Sequence, residues 1–94
     1  MSRTVGRYLL AATTGRFPVN MPLVHKVLTI RKGLDGLPYV CIIIDNESPM
    51  SVKNFYVIKE GESSASLGWN REYYGMFDLG GVNYYVFNGD KIGA

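Results

Sequence analysis

His25 is the chain's only histidine and Cys41 its only cysteine. A serine or cysteine nucleophile needs a base beside it, so any such site has to run through His25. Its neighbours Val24 and Lys26 are ordinary strand residues. Cys41 lies inside the most apolar run of the chain, where a thiol is a small inert hydrophobe and not an activated thiolate. One His and one Cys fall short of the three or four soft ligands of a zinc site. The carboxylates Asp35, Asp45, Glu47, Glu60, Glu62, Glu72, Asp78 and Asp90 sit mostly at expected turns, where they serve turn geometry and solubility. "GLDG" (33–36) and "DLGG" (78–81) lack the Lys-Ser/Thr ending and the following helix of a phosphate loop, and read as turns. The residues therefore predict binding without catalysis, metal or cofactor.

Recognition is the stronger signal. Trp69, Arg71, Tyr73 and Tyr74 fall within six residues, after the serines Ser63, Ser64 and Ser66, and Lys59 precedes them. Aromatic faces stack on nucleobases, while guanidinium, ammonium, hydroxyl and loop amide groups hold phosphate. Lys59, Ser63, Ser64, Trp69, Arg71, Tyr73 and Tyr74 are thus the candidate site for a small anionic nucleotide. The competing reading packs Trp69 on the core edge and leaves the serines as a solvated loop. The segment 60–70 is small and polar, with Gly61 and Gly68 near its ends. Such a loop is expected to be mobile and to act as a lid, with Trp69 its one large anchor.

The elements that must position these residues are strands. Ninety-four residues make one domain, 1–94, with 47% hydrophobic and 19% charged residues, a globular balance. Frequent β-branched and aromatic residues, split by eleven glycines and four prolines, indicate strands and tight turns. "TVGRYLLAA" (4–12), "LVHKVLTIR" (23–31), "YVCIIID" (39–45) and "VKNFYVIK" (52–59) read as strands, and 73–87 as a hairpin turning at "DLGG". "RFPVNMP" carries two prolines and reads as an extended edge or entry segment. The expected fold is mainly β: a compact antiparallel sandwich or small barrel of five to six strands, with at most one short helix. Segments 39–45, 52–59 and 73–87 carry apolar residues on both faces, so the second face calls for a covering loop or a second copy of the chain. A homo-oligomer built on these two-faced strands is the expectation.

A net charge of +2 is too weak for a duplex nucleic acid face, yet suits a small anion. No apolar stretch nears the ~18 residues of a membrane span or forms a signal-peptide core, and the lone cysteine marks no disulfide scaffold. A soluble intracellular protein is expected.

The order "VNMP" (19–22), "KVLTI" (26–30), "LPYVCIIID" (37–45), "FYVIKEGE" (55–62), "YYGMF" (73–77) and "YYVFN" (84–88) resembles a family of small proteins widespread in tailed-phage genomes and labelled only as a domain of unknown function. The resemblance spans residues 19 to 88; where the family often has a Trp-His pair, this chain has Tyr84 and Tyr85. It implies an accessory protein of the host cytoplasm that opposes defence by sequestering a nucleotide immune signal such as a cyclic oligonucleotide. A protein–protein inhibitor of a host defence nuclease or effector, resembling anti-CRISPR proteins in role, and a virion or morphogenesis component are the alternatives.

Overall fold

The computed structural model describes residues 2–10, 14–63 and 71–90. Seven strands form: β1 (Arg3–Leu9), β2 (Gly15–Pro22), β3 (His25–Lys32), β4 (Pro38–Asp45), β5 (Met50–Lys59), β6 (Tyr73–Leu79) and β7 (Val82–Asn88). They build two antiparallel sheets, ordered β1-β4-β3 and β2-β5-β7-β6, neither closed on itself. No helix occurs among the described residues. The mainly β antiparallel class expected from the sequence is the one found. Among the described residues the strand count is seven, not five or six, because the proline-bearing segment is a strand in its own right.

That strand, β2, explains how the fold accommodates its prolines. Leu23 N–H donates to Pro49 O at 2.8 Å just past the strand, which sets the alternation of the β2–β5 ladder. Odd-numbered residues of β2 then turn their backbone groups to β5. Pro18 and Pro22 present their ring nitrogens to the open edge, where no donor is required.

The two sheets share one core. Val40, Ile42, Phe55, Val57 and Val86 are completely buried, with Leu10, Met21 and Phe77 beside them. Each such side chain contributes about 1.5–3 kcal/mol relative to exposure. Tyr84 stacks on Phe77 at 5.1 Å from the opposite strand of the final hairpin. That hairpin turns on Gly80 and Gly81, whose φ values of 57° and 81° are the positive pair a two-residue type I′ turn needs.

The two-faced strands divide into two cases. On β5, Phe55 and Val57 enter the core, while Ile58 is buried on the opposite face, outside the core cluster. β4 departs from the expectation of burial on both faces. Pro38, Val40 and Ile42 are buried, but Tyr39, Cys41 and Ile43 are only half-buried. The reason lies in topology: β4 is the middle of a sheet that has a layer on one side only among the described residues. Cys41 accordingly stands on the outer face and not in the core.

The sheets approach closest where β3 meets β6. A Cβ added to Gly75 would lie 3.1 Å from Ile30 Cγ1 and 3.3 Å from the Ile30 backbone nitrogen, and Gly75 has φ 150°. Gly75→Ala is therefore expected to destabilise the domain by about 1–3 kcal/mol through overpacking and backbone strain. A lower urea midpoint at unchanged m-value is the readout, and an unchanged midpoint would refute the close approach.

Candidate anion-binding site

The outer face of the three-stranded sheet gathers the cations. Residues paired across an antiparallel ladder share a face. The register sets Leu9, Tyr39 and Arg31 in one row across β1, β4 and β3, and Arg7, Cys41 and Thr29 in the next. The row ends where β3 runs into the loop 33–37. The result is a cavity of about 340 Å³ walled by Arg7, Arg31, Lys32, Tyr39 and Cys41, with Leu34 at its rim.

The loop holds the aromatic wall in place. Asp35 Oδ1 accepts the Leu37 N–H at 3.0 Å, a local turn bond characteristic of aspartate, and Gly33 N–H donates to Leu37 O at 2.8 Å. Asp35 Oδ2 then accepts the Tyr39 hydroxyl at 2.5 Å. The Tyr39 bond, followed by the Leu37 amide, holds the Asp35 carboxyl below its usual range. The same bond pushes the Tyr39 hydroxyl above its usual range. The Arg7 guanidinium lies over the Tyr39 ring, 4.3 Å from its centroid. Stacking of this kind leaves the edge of the guanidinium fork open for bidentate bonds.

The Asp35 carboxylate acts on Arg7 through space and offsets part of the positive charge here. Lys32 Nζ reaches Asp78 Oδ2 at 3.4 Å, an exposed pair of little energetic weight. Among the described residues no carboxylate bonds to Arg7 or Arg31. Arg7 and Arg31 thus line one cavity with Tyr39, whose ring carries the Arg7 guanidinium. Chemically this suits a phosphate or carboxylate attached to a planar apolar body.

Of the residues singled out from the sequence, Lys59, Ser63, Arg71, Tyr73 and Tyr74 fall among the described ones. Lys59 ends β5, exposed, with its N–H donating to Glu62 Oε1 at 3.4 Å, and Ser63 is exposed four residues on. A bulge between Tyr73 and Gly75 interrupts the β6 register. Tyr73 leans on Phe87 at 5.3 Å and stays half exposed, whereas Tyr74 meets the core residue Phe55 edge-on at 5.7 Å. Arg71 donates to the backbone carbonyls of Asn88 and Asp90, which fastens the chain after β7. The start of the expected lid is tied to the final hairpin, since Glu60 N–H donates to Asn83 O at 2.9 Å and Glu60 Oε1 accepts the Tyr85 hydroxyl at 2.7 Å; Ser64, Trp69 and the rest of 64–70 lie outside the described residues.

Arg71 and Tyr74 instead border a polar clasp. Lys53, on the core side of β5, donates to Asn88 Oδ1 and Asp90 Oδ2, both at 2.8 Å. Asp90 Oδ1 accepts the Asn54 backbone N–H at 2.9 Å, and the Tyr74 ring centroid is 5.3 Å from Lys53 Nζ. Burial works against the Lys53 charge, but the bond to Asp90 and the neighbouring Tyr74 outweigh it and hold its pKa above the usual value. Burial likewise opposes the Asp90 charge, and Lys53 and the Asn54 amide overcome it, so that its pKa is lowered. Every lining group is satisfied within the chain, which is the mark of a structural closure. His25 is equally occupied: its Nδ1 bonds the Pro22 carbonyl at 2.8 Å.

Among the described residues no three His, Cys, Asp or Glu side chains cluster as metal ligands, and no helix is long and apolar enough to cross a membrane. The comparisons with known proteins give no match: no family model, no curated protein and no solved structure is significantly similar to the chain.

Proposed function

We propose that the protein is a non-enzymatic binder of a small anionic nucleotide, and that the ligand sits on the outer face of the three-stranded sheet. The observation that carries this reading is that Arg7 and Arg31 line one cavity with Tyr39, neither bonded to a carboxylate among the described residues. Phosphate takes the two forks, and the base lies against Tyr39 and Leu34, a leucine fully exposed at the rim. This relocates the nucleotide expectation from the 59–74 segment to residues of β1, β3 and β4. Together with the resemblance to small phage proteins, it supports a counter-defence role in the host cytoplasm: capture of a nucleotide signal such as a cyclic oligonucleotide. A homo-oligomer fits, since Val5 and Leu9 remain 66% and 50% exposed beside the cavity.

Thermal denaturation against a panel of nucleosides, mononucleotides, cyclic dinucleotides and cyclic trinucleotides tests the reading. A ligand at 100 times its Kd stabilises the fold by about 2.7 kcal/mol. For a domain of this size that is a shift on the order of 10–20 °C. Nucleosides, lacking phosphate, are expected to give none. A silent panel would overturn the reading and leave the inhibitor or virion alternatives.

A further inference from the structure

We infer that the chain dimerises by pairing β1 with β1 of a second copy, and that the partner completes the anion site. The dimer is read from the backbone alone; the completed site rests on the nucleotide-binding reading above.

The four sheet edges differ in how they are closed. β2 carries Pro18 and Pro22 at its open side, and β3 lies against β6 at the Ile30–Gly75 contact. β1 is the exception. It pairs with β4 over seven unbroken positions, contains no proline or bulge, and forms no ladder with any other strand among the described residues. Arg3 and Arg7 are the charges on this edge, and an unpaired edge without proline or bulge is a template for another strand in a register that keeps those charges from facing each other directly.

The ladder fixes which groups are offered. Leu10 N–H donates to Pro38 O at 3.0 Å and Asn46 N–H to Ser2 O at 2.9 Å, so the even-numbered residues of β1 turn their backbone groups to β4. Arg3, Val5, Arg7 and Leu9 therefore present N–H and C=O to the open edge. A twofold axis at Gly6 uses all four, pairing Arg3 with Leu9 and Val5 with Arg7 of the other copy. Moving the axis to Arg7 sets the two Arg7 side chains opposite each other, and moving it to Val5 sets Arg3 opposite Arg7. Both alternatives keep fewer pairs and oppose like charges. Gly6 on the axis has no side chain to obstruct the close, non-hydrogen-bonded pair it would make with its own copy.

The consequence for the site follows from the register. Leu9 neighbours Tyr39 on one side and would neighbour the partner's Arg3 on the other. Arg31, Tyr39, Leu9 and the partner's Arg3 then form one row on one face, with Arg3 about 10 Å from Tyr39, two strand spacings away. An arginine side chain covers most of that distance. The cavity gains a cation at its β1 end, opposite Arg31 and Lys32. The ligand class narrows to nucleotides with two or more separated phosphates, such as cyclic dinucleotides.

Sedimentation equilibrium at 100 µM, without ligand, is expected to give twice 10.5 kDa. Val5→Pro removes an edge donor that β4 does not use and is expected to give the monomer mass with an unchanged circular dichroism spectrum. Gly6→Cys in a Cys41→Ser background is expected to oxidise to a disulfide dimer, since the axis brings the two Cα atoms to about 4.5 Å. Wild-type monomer, or a Val5→Pro dimer without Gly6→Cys crosslinking, would overturn the pairing. Arg3→Ala, dimeric still, is expected to bind cyclic dinucleotides about tenfold more weakly and mononucleotides unchanged. Equal loss for both, or none, would remove Arg3 from the site. A dimer that binds no nucleotide sinks the functional reading alone, and a monomer that binds sinks only the pairing.

Discussion

Replacing Arg7 and Arg31 together by alanine is expected to weaken binding of the tightest cyclic nucleotide by about 10²- to 10⁴-fold. A hydrogen bond to a charged group is worth about 1.5–3 kcal/mol, and the two forks face the same ligand. Each 1.4 kcal/mol is a factor of ten. Neither residue belongs to the core cluster, so the folded state should survive. Arg7→Lys is expected to recover little, because an ammonium lacks both the fork and the stacking on Tyr39. Isothermal titration with wild type and each variant, repeated at two salt concentrations, supplies the check. The double variant should also show a shallower dependence of affinity on salt, since two ligand charges lose their partners. Full retention of affinity in a folded double variant would exclude the cavity as the binding place.

The sequence shows most of the fold and little of this site, and the reason is sequence separation. Strands announce themselves locally: "YVCIIID" by its apolar run, the final hairpin by "DLGG" between aromatic segments. β2 was harder to read, since proline argues against a strand unless the edge toward which its nitrogen points is known. Arg7 and Arg31 lie on strands separated by β4, and only the β1–β4 and β3–β4 registers bring them onto one face. No local spacing reports that. Arg71, Tyr73 and Tyr74 have the opposite character: close in sequence, they are parted by the bulge before Gly75. It sends Tyr74 toward Phe55, while Arg71 is engaged by the backbone of 88–90. One signal for the Tyr39 cavity is legible: Asp35 two residues before Leu37 and four before Tyr39, in a glycine-rich loop, is the pattern of a turn that braces an aromatic side chain.

Loss of the Asp90 carboxylate is expected to be the most damaging single change outside the apolar core. Lys53 Nζ is 2.8 Å from Asp90 Oδ2, and the lysine side chain is 8% exposed. Removing one member of a buried pair costs about 3–5 kcal/mol, because the remaining charge stays desolvated. Asp90 is 40% exposed, so water reaches the pair and screens it, which lowers the expectation to about 2–3 kcal/mol for Asp90→Ala. The Tm should fall on the order of 10–20 °C. Lys53→Met is expected to cost less, since it leaves no buried charge and Asp90 can turn to solvent. Lys53→Met combined with Asp90→Ala should then be more stable than Asp90→Ala alone, which is the sign of a charge left unpaired and not of lost packing. The pH dependence follows from the two shifts. The Asp90 pKa is lowered on folding, so its contribution is complete above the ordinary carboxylate value of about 3.9 and fades as pH falls through the lowered value. The Lys53 pKa is raised, so its contribution is complete below about 10.4 and fades as pH rises past the raised value. Urea midpoints measured from pH 2 to 11 should therefore show a plateau with a loss at each end. In Asp90→Asn the part of the acid limb that belongs to this pair should disappear; an acid limb identical to wild type would place the acid sensitivity in other carboxylates and refute the clasp.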